Sequence, residues 1–389
     1  MCRAASRGAR AALERLRTCG YCRLGPSTGV TAARVHAAYR AAALALTGFY
    51  LLQQVVYAVR ERRHMDKLAR VMFLLLCHLT SIVKQLVFFV DADRIDDLIA
   101  RLDEPVMSHG QVALSAAARG AERLGRVYSG MAAVTCVLWA VFPVLYFLRG
   151  HHVEFPIWTG LIDYNNNTLE FSAVLVYSWY VTSLVGIANT TMDAFFGTVL
   201  HQAKTQLNIL RCDYENITER VRAVVIQTNE DYDKILKIFF VDCLTRYKKI
   251  AELLELLQDI FSGAIVVQFT IGGWILCMAA YQIIGLNVLS IEFASMVLFI
   301  FCILTELFIY CYYGNEVTLE SQLVAGSVYC ARWVPAPAWF RRVLLTALMY
   351  AQRPLRPLAG RLLPLSLATF LKILKSSYSF YAVLRQTKT

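Results

Sequence analysis

Lys372, Ser376, Ser379 and Val383 stand at spacings of four, three and four residues, which puts them on one face of a helix. They lie in an apolar run, Leu367 to Leu384, that also holds Lys375 and Ser377. A lysine is costly against lipid, so Lys372 and Lys375 must meet protein, water or the membrane interface. Two readings follow. The face packs against neighbouring helices, or it lines a wet path that closes at an apolar constriction, for which Val383 is the candidate. The other reactive groupings are weaker. Cys19 and Cys22 have the CxxC spacing but lack the second pair a zinc site needs and the βαβ setting a redox site needs. His151, His152 and Glu154 are loop neighbours and read as a solvated polar edge rather than a metal site. P-loop, GxSxG, HExxH and dinucleotide fingerprints are absent, so neither an enzyme nor a cofactor is expected.

The elements that must carry these residues are membrane spans. In 389 residues, 57% are hydrophobic, only 17% are charged, and the mean hydropathy is +0.48. That balance excludes a soluble globular chain and a disordered one. The 11 cysteines are odd in number, and Cys77, Cys136, Cys277 and Cys302 fall inside apolar runs, which excludes a secreted disulfide scaffold. A helix crossing the bilayer needs about 20 apolar residues. Five runs are clear: Ala41 to Val59, Tyr128 to Leu148, Phe171 to Met192, Ile260 to Leu286, and Phe293 to Tyr313 with its single acid, Glu306. Two are compromised, Val71 to Val90 by Lys84 and Leu367 to Leu384 by its two lysines. The expected fold is therefore an all-α membrane protein with seven transmembrane helices. Barrel strands would be half as long and would alternate.

Charge sets the orientation. Lys and Arg number eight in residues 1 to 40, five in 91 to 127, nine in 201 to 259 and six in 314 to 365, 28 together, against 7 in the connections and tail on the other side. The positive-inside rule then puts the N-terminus in the cytoplasm and the C-terminus outside. The same rule explains the net charge of +11, with no nucleic-acid partner implied, and it explains the arginines of residues 1 to 40 better than a transit peptide does. Of the sequons, Asn166 falls outside, Asn216 in the cytoplasm and Asn189 within a span, so Asn166 alone should carry sugar.

The expected organisation is a cytoplasmic segment, 1–40; spans one to four, 41–200; a cytoplasmic helical anchor, 201–259; spans five and six, 260–313; a cytoplasmic loop with a short anchor helix, 314–365; and the seventh helix with its tail, 366–389. The 201–259 segment is too long for a bare connector. Ile250, Leu253, Leu254, Leu257 and Phe261 form one helical stripe running into the fifth span. That stripe packs on its own protomer or also on other subunits. Five prolines, Pro335, Pro337, Pro354, Pro357 and Pro364, break the 314–365 loop around an apolar helix, Phe340 to Ala351.

Two stretches carry a resemblance. Tyr310 through Ser321, reading YCYYGNEVTLES and followed by Tyr329 and Trp333, and Pro364 through Phe380, reading PLSLATFLKILKSSYSF, closely resemble the signature of insect odorant receptors. The motifs cover about the last 90 residues; the span count and inverted topology extend the likeness along the chain. The resemblance implies a ligand-gated, non-selective cation channel, a tetramer in which each subunit gives its seventh helix to a central pore. It implies a tuning subunit working with a shared odorant co-receptor, since the co-receptor has a longer fourth loop, and a place in the cell membrane of olfactory sensory neuron dendrites. It also implies a gate near the outer end of the last helix, which falls on Val383, with Ser379 and Ser376 along the pore and Gln386 at its mouth. Glu320 and Ser321 take a structural role.

Small volatile odorants in this family bind in the outer half of the membrane, between the second, third, fourth and sixth helices. Those halves hold Phe73 and Cys77; Trp139, Phe142 and Tyr146; Tyr177, Tyr180 and Leu184; and Phe293, Met296 and Val297. Such aromatic and sulfur-bearing walls hold a ligand by shape and dispersion. A G-protein-coupled chemoreceptor is the alternative; the charge count opposes it, and Asp-Arg-Tyr and Asn-Pro-x-x-Tyr motifs are missing. A transporter or membrane enzyme would call for intramembrane acids or broken-helix repeats.

Overall fold

The computed structural model describes residues 6–386 apart from 24–28, 161–166, 332 and 335. Among the described residues the regular structure is helical but for one hairpin of two two-residue strands, Leu358–Ala359 and Leu363–Pro364. The helices are α1 (Arg7–Thr18), α2 (Val30–Arg60), α3 (Met65–Val90), α4 (Ala92–Leu102), α5 (Gln111–Leu148), α6 (Thr168–Glu215), α7 (Ile217–Thr228), α8 (Tyr232–Ile284), α9 (Ile291–Cys330), α10 (Ala338–Ala351) and α11 (Leu367–Gln386). Six of them, α2, α3, α5, α6, α8 and α9, are long and apolar enough to cross a membrane. The helix expected as the seventh span forms at α11 but is not among the six, because its lysines and serines dilute its apolar character.

The four longest helices exceed the bilayer. At 38, 48, 53 and 40 residues, α5, α6, α8 and α9 run well past the roughly 20 residues a crossing needs. They pass the boundaries at 200, 259 and 313 without a break. The main core continues along them and takes in the full stripe of Ile250, Leu253, Leu254, Leu257 and Phe261. Its polar contacts are built for packing. Arg246, 2% exposed, pairs with Asp213 at 2.6 Å and Asp242 at 3.2 Å, and Arg211 reaches Glu320 at 2.7 Å.

Residues 1 to 40 hold more than a charged tail. In α1 the residues Ala9, Ala12, Leu13 and Leu16 are buried, chiefly against α6, and the arginines occupy the other face. The spacing i, i+3, i+4, i+7 was legible in the sequence as an amphipathic helix.

The signature stretch YCYYGNEVTLES sits where α9 meets the segment leading into α11. A Cβ on Gly314 would stand 2.7 Å from the Leu365 carbonyl oxygen, so only glycine lets the chain pass. Ser321 Oγ accepts the Leu355 N–H at 2.8 Å, and Ser262 Oγ accepts the Gly360 N–H at 2.7 Å. These bonds satisfy backbone groups of a proline-broken segment whose one ladder is the short hairpin Leu358–Ala359 with Leu363–Pro364. Ser366 then receives the Thr369 N–H at 3.3 Å, opening α11.

Candidate ligand-binding site

A cavity of about 260 Å³ opens between α2, α3, α5, α6, α8 and α9 at the end of the bundle opposite the helical extensions. Its wall follows helical phase. On α6 it is formed by Leu175, Ser178, Trp179, Thr182 and Ser183, and on α9 by Glu292, Ser295 and Met296. The loop after α5 folds inward, burying Val153, Phe155 and Ile157 against Tyr50 and Phe171, and so brings His152, Glu154 and Pro156 to the rim. Glu154 is held there by Lys67 at 2.7 Å. Among the described residues His151, His152 and Glu154 form no metal-binding group. Pro143 lies in the wall within α5; lacking an N–H, it frees the Trp139 carbonyl from the helical ladder.

A second chamber of about 90 Å³ lies deeper and shares Leu74, Cys136, Trp139 and Thr182 with the first. Three rings crowd where the chambers meet. Phe73 and Phe299 have centroids 5.3 Å apart, Trp139 and Phe299 5.6 Å, and Phe73 and Trp139 6.2 Å, in tilted or edge-on geometries that aromatic quadrupoles favour. The inner wall includes His78, Tyr128, Asn189 and Glu306.

Below the inner chamber is a feature of which only Lys84 and Glu306 stand out in the sequence, as isolated charges. Lys84, from α3, lies 2.5 Å from Asp193 on α6 and also pairs with Glu306 on α9. Tyr310 donates to Asp193 at 2.6 Å and Asn189 to Glu306 at 3.1 Å. Lysine in an apolar run, and acids 109 and 222 residues away from it, thus satisfy one another across three helices. The Asn189 sequon is tied into this cluster within the bundle.

The residues expected at a ligand site divide. Phe73, Trp139, Phe142, Tyr146 and Met296 line the outer chamber, and Cys77 and Trp139 the inner one. Tyr177, Tyr180, Leu184, Phe293 and Val297 line neither. Tyr177 donates to Gln53 at 2.8 Å, Tyr180 is 49% exposed on the bundle's outside, and Leu184 packs on the main core. Residue type and membrane depth picked them out; the helical phase that turns 178, 182 and 183 inward does not turn 177, 180 and 184 the same way. The serines and threonines of α6 in this wall lie outside the aromatic, sulfur-bearing and aliphatic set that the sequence points to.

On α11, Ser377 is buried where it meets Gly273 of α8, and Phe380 stacks on Trp274 at 5.0 Å. Lys372, Ser376 and Ser379 stay exposed on the single chain, and Val383 is 59% exposed. The Gln386 side chain and Asn166 lie outside the described residues.

Comparison with known proteins places this geometry. The profile of the family described as "7tm Odorant receptor" matches residues 64–378. The chain is similar to odorant receptor 22b of Drosophila melanogaster, 28% identical over 178 residues that make up 46% of this chain and 44% of that one. It is similar to odorant receptor 2a of the same fly, 23% identical over 249 residues, 60% of this chain and 59% of that one. The chain thus spans about half the length of these curated relatives. To odorant receptor Or1 of Anopheles gambiae it is 21% identical over 361 residues, 87% of this chain and 86% of that one. In fold it resembles the olfactory receptor OR5 of Machilis hrabei in complex with eugenol, with a TM-score of 0.84, 15% identity and 97% of each chain covered.

Proposed function

The chain belongs to the 7tm odorant receptor family of insects, and from that premise we propose that it is the odorant-binding subunit of a ligand-gated, non-selective cation channel, assembled with odorant co-receptor subunits as a heterotetramer. The observation that carries the reading is the outer cavity. It is concave, mostly apolar, and bounded by Phe73, Trp139, Phe142, Tyr146 and Met296, with hydroxyls of α6 in the wall and Arg70, Glu154 and Glu292 as charged side chains of the lining, which suits a small volatile molecule with a polar end. The pore belongs to α11. A helix whose Lys372, Lys375, Ser376, Ser379 and Val383 find no cover on its own chain is suited to facing its counterparts across a wet axis, with Val383 as the dewetting constriction and Ser379 and Ser376 below it.

Orientation follows from the cation asymmetry, N-terminus in the cytoplasm and Asn166 outside, with the cavity toward the outside and the helical extensions inside. The protein works in the cell membrane of olfactory sensory neuron dendrites. Whole-cell recording with and without the co-receptor tests the proposal. The expected result is a clear odorant-evoked cation current with the partner and little or none without it. Surface-expressed pairs that stay silent to a broad odorant panel, or robust current from this chain alone, contradict it.

A further inference from the structure

The buried cluster beneath the inner chamber is out of balance. Lys84 faces two carboxylates, and none of the three side chains is more than 4% exposed. A buried negative charge in excess is either neutralised by a proton or matched by a cation. Asp193 is engaged by Lys84, Tyr310 and Tyr128 and does not line either chamber. Glu306 does line the inner chamber, and the hydrogen bonds from Lys84 and Asn189 both fall on its Oε1, so Oε2 is the oxygen left to serve the chamber.

A second observation is independent of charge. His78, 2% exposed, lines the same chamber. Its Nδ1 lies 2.7 Å from the Leu74 carbonyl, which accepts only, so Nδ1 carries the proton and Nε2 presents a lone pair. Nε2 has no hydrogen-bond partner, and neither has Asn189 Oδ1. Two residues of the chamber wall thus each hold a buried acceptor that lacks a donor.

We propose that the inner chamber receives the protonated amino group of a small ligand, with Glu306 as its counter-ion and His78 accepting a second N–H, while the apolar remainder lies along Phe73, Trp139 and Phe299 into the outer chamber. This rests on the reading of the two chambers as the ligand site. A primary ammonium brings three donors and the missing charge; an alcohol brings one donor and no charge; a hydrocarbon brings neither. Alkyl amines share the chemistry of the lysine side chain, with a pKa near 10.4, and are charged at neutral pH.

The test is direct binding to the full receptor, with its channel partner, in lipid nanodiscs. Tritiated 2-phenylethylamine is displaced by 2-phenylethanol and by propylbenzene, which keep the shape and change only the end group. The amine should bind at least about tenfold more tightly than the alcohol. Glu306→Gln, which leaves Lys84 and Asp193 as a neutral pair and should therefore fold, should remove that preference without weakening propylbenzene. His78→Leu should weaken the amine alone and serves as the second variant. Absence of amine binding, parity of amine and alcohol in the parent, or a preference that persists in Glu306→Gln overturns the inference. Currents separate it from the broader proposal. Surface-expressed pairs that bind the amine with the stated preference yet stay silent to a broad odorant panel contradict the channel reading and sustain this one; currents to other odorants without amine preference do the reverse.

Discussion

Lys84 Nζ lies 2.5 Å from Asp193 Oδ1, two buried charges that meet between α3 and α6. A pair of this kind contributes little net stability when intact, because desolvation offsets attraction, but losing one member leaves the other uncompensated. With Glu306 in the same cluster, Lys84→Met would strand two acids. It should cost about 3 to 5 kcal/mol and sharply reduce surface expression. The triple variant Lys84→Met, Asp193→Asn, Glu306→Gln should recover much of that expression. Surface biotinylation measures both, and normal delivery of Lys84→Met to the surface would show that the cluster is not structurally coupled.

The helical extension of α8 makes a prediction about thiol chemistry. Burial is the main cause that pushes the Cys243 thiol up to about 11, and Arg246 beside it only partly opposes this. At pH 8 the reactive thiolate is then on the order of 0.1% of the thiol. Maleimide added to the native complex should leave Cys243 unmodified until the protein is denatured, as read by peptide mass spectrometry. Rapid labelling at native pH 8 would mean that the bundle opens.

Val383 carries the gate prediction. Replacing it by Ser, together with the matching change in the partner subunits, should wet the constriction. Ligand-independent current should rise, or permeability ratios should shift. If basal current, permeability and block all match the parent in the doubly altered complex, Val383 is a packing residue.

Much of the fold was legible because apolar runs of bilayer length have few alternatives, and because the stripe from Ile250 to Phe261 keeps helical spacing. The amphipathic face of α1 was equally legible, yet its arginines drew attention to charge and away from Ala9, Ala12, Leu13 and Leu16. The ion cluster was hidden for a different reason. Lys84 and Glu306 each look like a defect of its own span and Asp193 falls just past the end of its run at Met192, and only tertiary packing makes them one another's partners. At the cavity, depth along each helix could be reckoned from the span ends, whereas rotation about each axis is fixed by neighbours; hence Phe73, Trp139 and Met296 fall on the wall and Tyr180 on the outside.

That contrast supplies the most direct measurement. Trp139 belongs to both chambers, and Tyr180 to neither. Odorant dose-response currents should be recorded from cells expressing the co-receptor with the parent chain, with Trp139→Ala, or with Tyr180→Ala, at matched surface levels. Removing the Trp139 ring enlarges a site in which one methylene is worth about 1 to 3 kcal/mol, so the ranking of odorants should reorder, with larger ligands gaining on smaller ones. Tyr180→Ala should keep the parent ranking. An unchanged ranking in Trp139→Ala, or a reordering confined to Tyr180→Ala, would contradict the assignment of this cavity as the place where odorant is read.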